Sequence, residues 1–156
     1  VASISLYKMN HIDLPVGKEG DELFVLTADT LSQDANGVIQ GKPKDMHDAR
    51  EKIKQAREGT RLCTAFCLDK KQYKNGTWIV KERIHEIVHA EYLFYVPEHW
   101  IDTYLKDSIG LSCSNAIAVE EYGNQFLKYV RGSYSAIVGL PMYELREALQ
   151  RMIFFD

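Results

Sequence analysis

The chain has no disulfide framework, no membrane-length apolar run and no surplus of positive charge. Its three cysteines, Cys63, Cys67 and Cys113, are odd in number and form no C-x-x-C pair, which argues against a paired-cysteine scaffold or a zinc ribbon. No apolar stretch approaches the roughly 20 residues that span a bilayer. The net charge of −3 leaves no basic excess to recruit nucleic acid or a membrane surface. No signal peptide is visible, so the cytoplasm is the expected compartment. Internal repeats and low-complexity segments are absent too. What is present is 156 residues, 46% hydrophobic and 26% charged, the composition of one soluble globular domain with one good core.

The stretch from Phe24 to Ala28 is apolar or β-branched and ends on Asp29-Thr30. Such a run suits a buried central strand, and ligands of open α/β sheets gather at carboxyl ends of strands. Asp29 is therefore a carboxylate where a site could form, although an acid at a strand end can equally cap the next turn. Val1 to Met9 carries a weak helical pattern, and His11 to Glu22 reads as a loop. Asn36-Gly37 is a hairpin signal. A helix is expected from Asp45 as N-cap, with Met46, Ala49, Ile53 and Ala56 on one face and Gly59 as its stop. Thr60 to Leu68 reads as a strand, and after a turn at Asn75-Gly76 the β-rich Thr77 to Val96 reads as two strands or one long bent strand. Pro97 opens a further helix. Ala116–Val119 and Gln125–Val130 are expected as two strands, and Pro141 opens a last helix with Met142, Leu145, Leu149, Met152 and Ile153 inward. Strands and helices mix irregularly, which predicts an α/β fold with a mixed sheet flanked by helices.

Several residues invite chemistry. His85-Glu86-Ile87-Val88-His89 spells H-E-x-x-H, but zinc binding by that pattern needs a helix. The β-branched surroundings predict a strand, where residues four apart lie roughly 13 Å from each other. Lys42, in Gly41-Lys42-Pro43, stands on a stiff turn before a helix. It can meet phosphate as a point charge or simply be solvated. Cys63 and Cys67 share a strand face and read as small core residues.

Ala28-Asp29-Thr30, the run Gly37-Val-Ile-Gln-Gly-Lys-Pro43, and Gly132-Ser-Tyr-Ser-Ala-Ile-Val-Gly-Leu-Pro141 before Tyr143-Glu144-Leu145 resemble the Maf family. These are septum-formation-inhibitor-like nucleotide pyrophosphatases, and order and spacing agree from about Leu23 to Ile153. The resemblance implies an elongated mixed sheet with helices at its sides and two lobes around a cleft, similar to the inosine-triphosphate pyrophosphatases. It implies hydrolysis of a nucleoside triphosphate to monophosphate and pyrophosphate with a divalent cation, magnesium first and manganese as the alternative. The family's catalytic, metal-holding aspartate falls on Asp29, its selectivity threonine on Thr30 and its loop lysine on Lys42. A family lysine in the helix before the catalytic strand falls on Lys8. The family's glycine and glutamine of Ala-Gly-x-x-x-x-Gln fall on Asn115 and Glu120. Glutamate there, with Cys113, is similar to the branch that prefers 7-methyl-GTP, whereas Ala28-Asp29-Thr30 is similar to the dTTP/UTP branch.

The chain is thus expected to be a single Maf-like domain over residues 1–156, without the family's first strand and its Ser-Pro-Arg-Arg-like phosphate loop. Its expected partner is the nucleotide, with neither nucleic acid nor membrane, and a homodimer follows only by analogy with the family. The competing reading is a degenerate member that binds nucleotide or a partner protein without catalysis.

Overall fold

The structure, a computed structural model, describes residues 1–155. Its centre is an antiparallel sheet in the order β2-β1-β3-β4-β5. The strands are β1 (Glu22–Asp34), β2 (Ile39–Gln40), β3 (Thr60–Lys74), β4 (Thr77–Phe94) and β5 (Leu127–Gly132). The helices are α1 (Ala2–Asn10), α2 (Met46–Ala56), α3 (Ile101–Asp107), α4 (Tyr134–Val138) and α5 (Met142–Arg151). The α/β class with helices flanking an elongated sheet is as expected. No helix among the described residues is long and apolar enough to cross a membrane.

Local chemistry accounts for the elements. Asp45 caps α2 by accepting from the Asp48 amide at 2.8 Å, satisfying one of the orphan donors of a helix start. Asn75 and Gly76 both have positive φ (52° and 80°), the requirement of the tight turn that joins β3 to β4. The result is one long strand from Thr77 to Phe94 that carries His85 and His89. The Nε2 atom of His85 pairs with the Ser5 hydroxyl at 2.9 Å.

The two sheet faces pack differently. On one, α1 lies across β1 and β3, with Met9, Val25 and Cys67 buried between them. On the other, α5 covers Phe66 and Leu68 with Leu145, Ala148 and Met152. A larger core joins Ala49 and Ile53 of α2 to Tyr92 and Phe94 of β4, and to Tyr104 of α3. On the α1 face, Asp69 is fully buried, and Arg83 donates to both its oxygens at 2.6 and 2.7 Å while Lys71 stands 3.0 Å away. Burial pushes the Asp69 carboxyl up, but these two cations outweigh it and hold it below the usual aspartate range.

Two expectations are corrected. Ala116–Val119 is not a strand. It is buried, but it lies between short 3-10 turns at Ser114–Ala116 and Glu121–Phe126. Positive φ at Asn115, Ala116 and Glu121 breaks any extended run there. Met142, the first residue of α5, and Ile153, just past its end, are exposed rather than inward, because they flank the buried stripe at either end.

Candidate active site

Asp29 does not end its strand. Thr30, Leu31, Ser32, Gln33 and Asp34 continue β1, pairing in register with Thr64 back to Thr60 of β3. Polar residues extend a strand when only one of its faces is buried deeply. Asp29 thus sits mid-strand on the α1 face. There Lys8 of α1 donates to Asp29 Oδ1 at 2.7 Å and to the Ala28 carbonyl at 2.9 Å. The α1 helix is held in place for this by its own contacts: Thr27 donates to the Ser5 carbonyl at 2.7 Å, and Met9 is buried against Val25. Among the described residues, Asp29 Oδ2 has no hydrogen-bond partner.

Thr30, the next residue, faces the other way, as the period of a strand requires. It lines a cavity of about 240 Å³ together with Ser32, Tyr92, Glu120 and Gly139. That volume is below the roughly 300–1,000 Å³ typical of whole drug-sized ligands and suits one ring system. Leu62, Ile117, Val119 and Ile137 give it apolar walls. Burial pushes the Tyr92 phenol up, well above its ordinary range. Thr64 donates to the Ala136 carbonyl at 2.8 Å and lies 2.7 Å from the Thr30 hydroxyl. A hydroxyl has one proton, so Thr30 must donate to Thr64. Thr30 then offers only lone pairs to the cavity.

The loop bearing Glu120 is pinned from below. Tyr104 is buried, donates to the Ala116 carbonyl at 2.9 Å and accepts from the Ala118 amide at 2.8 Å. Burial pushes its phenol up to about 12. At Gly123 a Cβ would stand 1.8 Å from the Ala118 carbonyl oxygen, so glycine alone allows this close approach. Asn115 has φ 58°, ψ 19°, the left-handed region that asparagine tolerates. Its amide donates to the Gly41 carbonyl at 3.0 Å, tying the Lys42 loop to the cavity wall. Both side-chain polar atoms of Asn115 are buried without partners. Lys42 is near enough to Cys113 to oppose the upward push on its thiol from burial and from Glu120.

The structure therefore brings Thr30 and Glu120 into one cavity, with Lys42 beside its wall. It puts Asp29 on the opposite face, with Lys8. The open edge of β1 separates the two groups: β2 pairs with β1 only at Ser32 and Gln33, so the edge beside Asp29 and Thr30 is unpaired. Ser32 and Tyr104 were missed by sequence reasoning. A serine in a strand carries no local signal, and a buried tyrosine on a helix stripe reads simply as core.

Among the described residues no three His, Cys, Asp or Glu side chains cluster to hold a metal, so a cage made of protein alone does not fit. One free carboxylate oxygen does fit magnesium, which is commonly held by one or two carboxylates plus substrate phosphates.

A family model described as Maf-like protein matches residues 1–152. Among individual relatives, the dTTP/UTP pyrophosphatase of Anaeromyxobacter dehalogenans is 34% identical over 132 residues, covering 83% of this chain and 65% of the relative. The dTTP/UTP pyrophosphatase of Shewanella frigidimarina is 32% identical over 83% of this chain and 62% of the relative. The nucleoside triphosphate pyrophosphatase of Roseobacter denitrificans is 30% identical over 72% of this chain and 54% of the relative. The chain thus spans less than two thirds of the length of these curated relatives.

Proposed function

The chain belongs to the Maf family, and from that premise we propose that the protein hydrolyses a nucleoside triphosphate to the monophosphate and pyrophosphate with a divalent cation. The observation that carries the reading is a charged pair beside a base-sized cavity. Asp29 meets Lys8 at 2.7 Å, and its chain neighbour Thr30 lines the cavity. A nucleotide crossing the open edge of β1 would touch both, with its base in the cavity and its phosphates on the Asp29 side.

In this reading each residue has a task. Lys8 holds Asp29 Oδ1 and leaves Oδ2 to act. Asp29 takes the proton of the attacking water or anchors the cation, and as a lone carboxylate it suits either. Lys42, on the cavity side of the strand edge, meets the phosphate nearest the base as a point charge. Magnesium, with manganese as the alternative, would neutralise charge on the phosphates when bound. Thr30 and Glu120 accept hydrogen bonds from the base. Two acceptors favour a base rich in N–H groups on its pairing edge, as in guanine or 7-methylguanine, over thymine or uracil. A cytoplasmic homodimer acting on free nucleotides, with neither nucleic acid nor membrane as partner, completes the proposal and rests on family likeness alone.

The test is pyrophosphate release from dTTP, UTP, GTP and 7-methyl-GTP with magnesium, for the protein and for Asp29→Asn. Release that disappears in the variant is the expected result. A second reading, nucleotide binding without turnover, is favoured by the unpartnered Asn115 side chain at a family glycine position. Tight binding of a triphosphate with no release of pyrophosphate from any would select it.

A further inference from the structure

The cavity holds one more polar group, the Ser32 hydroxyl. Ser32 is only 4% exposed and lines the cavity two residues beyond Thr30 on the same face of β1. Its hydroxyl is buried and has no hydrogen-bond partner among the described residues. Leaving a buried hydroxyl unpaired is unfavourable, and a ligand can satisfy what the protein does not. The neighbouring groups define which ligand. Thr30 has committed its proton to Thr64, and Glu120 as a carboxylate only accepts. The Cys113 thiol is turned to the Ile109 carbonyl at 3.4 Å. The Ser32 hydroxyl still has its proton to give.

We infer that Ser32 is a specificity-determining residue whose hydroxyl donates to a keto oxygen of the bound base. This rests on the reading that the cavity holds the base. The polar lining then offers a buried donor from Ser32, acceptors from Thr30 and Glu120, and the hydroxyls of Ser114 and Tyr92. That set complements a keto group flanked by N–H. An amino base such as adenine presents no keto oxygen to Ser32, so the serine gains it nothing in affinity.

Calorimetric titration with the non-hydrolysable α,β-methylene analogues of GTP, UTP and ATP tests this on the parent protein, Ser32→Ala and Val138→Trp. Val138 is half-exposed at the cavity rim, so tryptophan there closes the mouth without entering the core. Ser32→Ala should weaken the keto nucleotides about tenfold, the cost of leaving a ligand acceptor unpaired in a buried site, and leave the ATP analogue unchanged. Its melting temperature should equal or exceed the parent's, because only an unpaired hydroxyl is lost. Equal weakening of all three nucleotides, no weakening, or a lower melting temperature would overturn the role of Ser32 while Val138→Trp still abolished binding. Unchanged binding by Val138→Trp would overturn the placement of the base, and the inference with it.

Discussion

Asp29 and Thr30 are neighbours in the chain, yet their side chains leave opposite faces of the same strand. Asp29 meets Lys8 under α1, and Thr30 meets Thr64 above β3. Residues so placed can serve one ligand only if the strand edge between them is open, and β2 covers that edge only at Ser32 and Gln33. The two halves of the site are therefore separable by mutation.

Asp29→Asn is expected to lower turnover about 10²–10⁴-fold, the usual cost of losing a general base. Lys8 is half-exposed, so the lost ion pair should cost no more than about 1 kcal/mol of stability. Lys8→Met should leave nucleotide affinity closer to parent than turnover, since it frees the carboxylate it was holding. Pyrophosphate release and thermal melts on both variants check this.

Glu120→Gln is expected to move base preference. A glutamine both donates and accepts, and so matches the carbonyl and N–H of thymine or uracil. Turnover of UTP and dTTP should rise relative to GTP and 7-methyl-GTP. An identical ranking in the two proteins would take Glu120 out of base recognition.

Asn115→Gly should raise the melting temperature. The left-handed backbone at this position suits glycine, and the change removes two buried polar atoms that lack partners. The gain is about 1 kcal/mol, less the cost of the small void left behind. The hydrogen bond from its amide to Gly41 is a backbone contact and should survive.

The buried Asp69 cluster predicts the acid limb of stability. The folded carboxyl titrates below its unfolded value because Arg83 and Lys71 outweigh the effect of burial. Its contribution is therefore complete above an unfolded value of about 4 and fades as pH falls through the folded value. Asp69→Asn leaves two cations facing a neutral amide and should cost about 3–5 kcal/mol at neutral pH. Denaturant melts between neutral pH and pH 3 should show a flatter acid limb for the variant than for the parent.

Where the chain signals locally, its sequence was readable. The Asp45 cap, the Asn75-Gly76 turn and the proline before α5 each act through neighbouring backbone, so their elements follow directly. The end of β1 was not readable. The polar half from Thr30 to Asp34 is held as strand by pairing to β3, a partner that begins 26 residues after β1 ends. The stretch around Ala116 misled for the converse reason: four apolar residues suggest a strand, but here burial comes from Tyr104 and the core, not from a ladder. Lys8 beside Asp29 was legible only through likeness to a family, because no local pattern joins a helix surface to a strand 21 residues on.

The long β3–β4 hairpin also sets an order of events in time. Its turn lies at Asn75-Gly76, while Leu62 and Tyr92, which wall the cavity, sit at its far end. Hairpins close within about 1–10 μs, and growth from this turn is expected to form the Asp69–Arg83 pair before the cavity wall. β1 can add only after α2 has been accommodated, and that longer loop closure slows its docking. The recognition site is thus expected to be the last part of the sheet to assemble. Gly76→Ala, strained at φ 80°, should slow refolding more than it speeds unfolding in stopped-flow mixing. A chain caught midway would hold a finished hairpin and no place for a nucleotide.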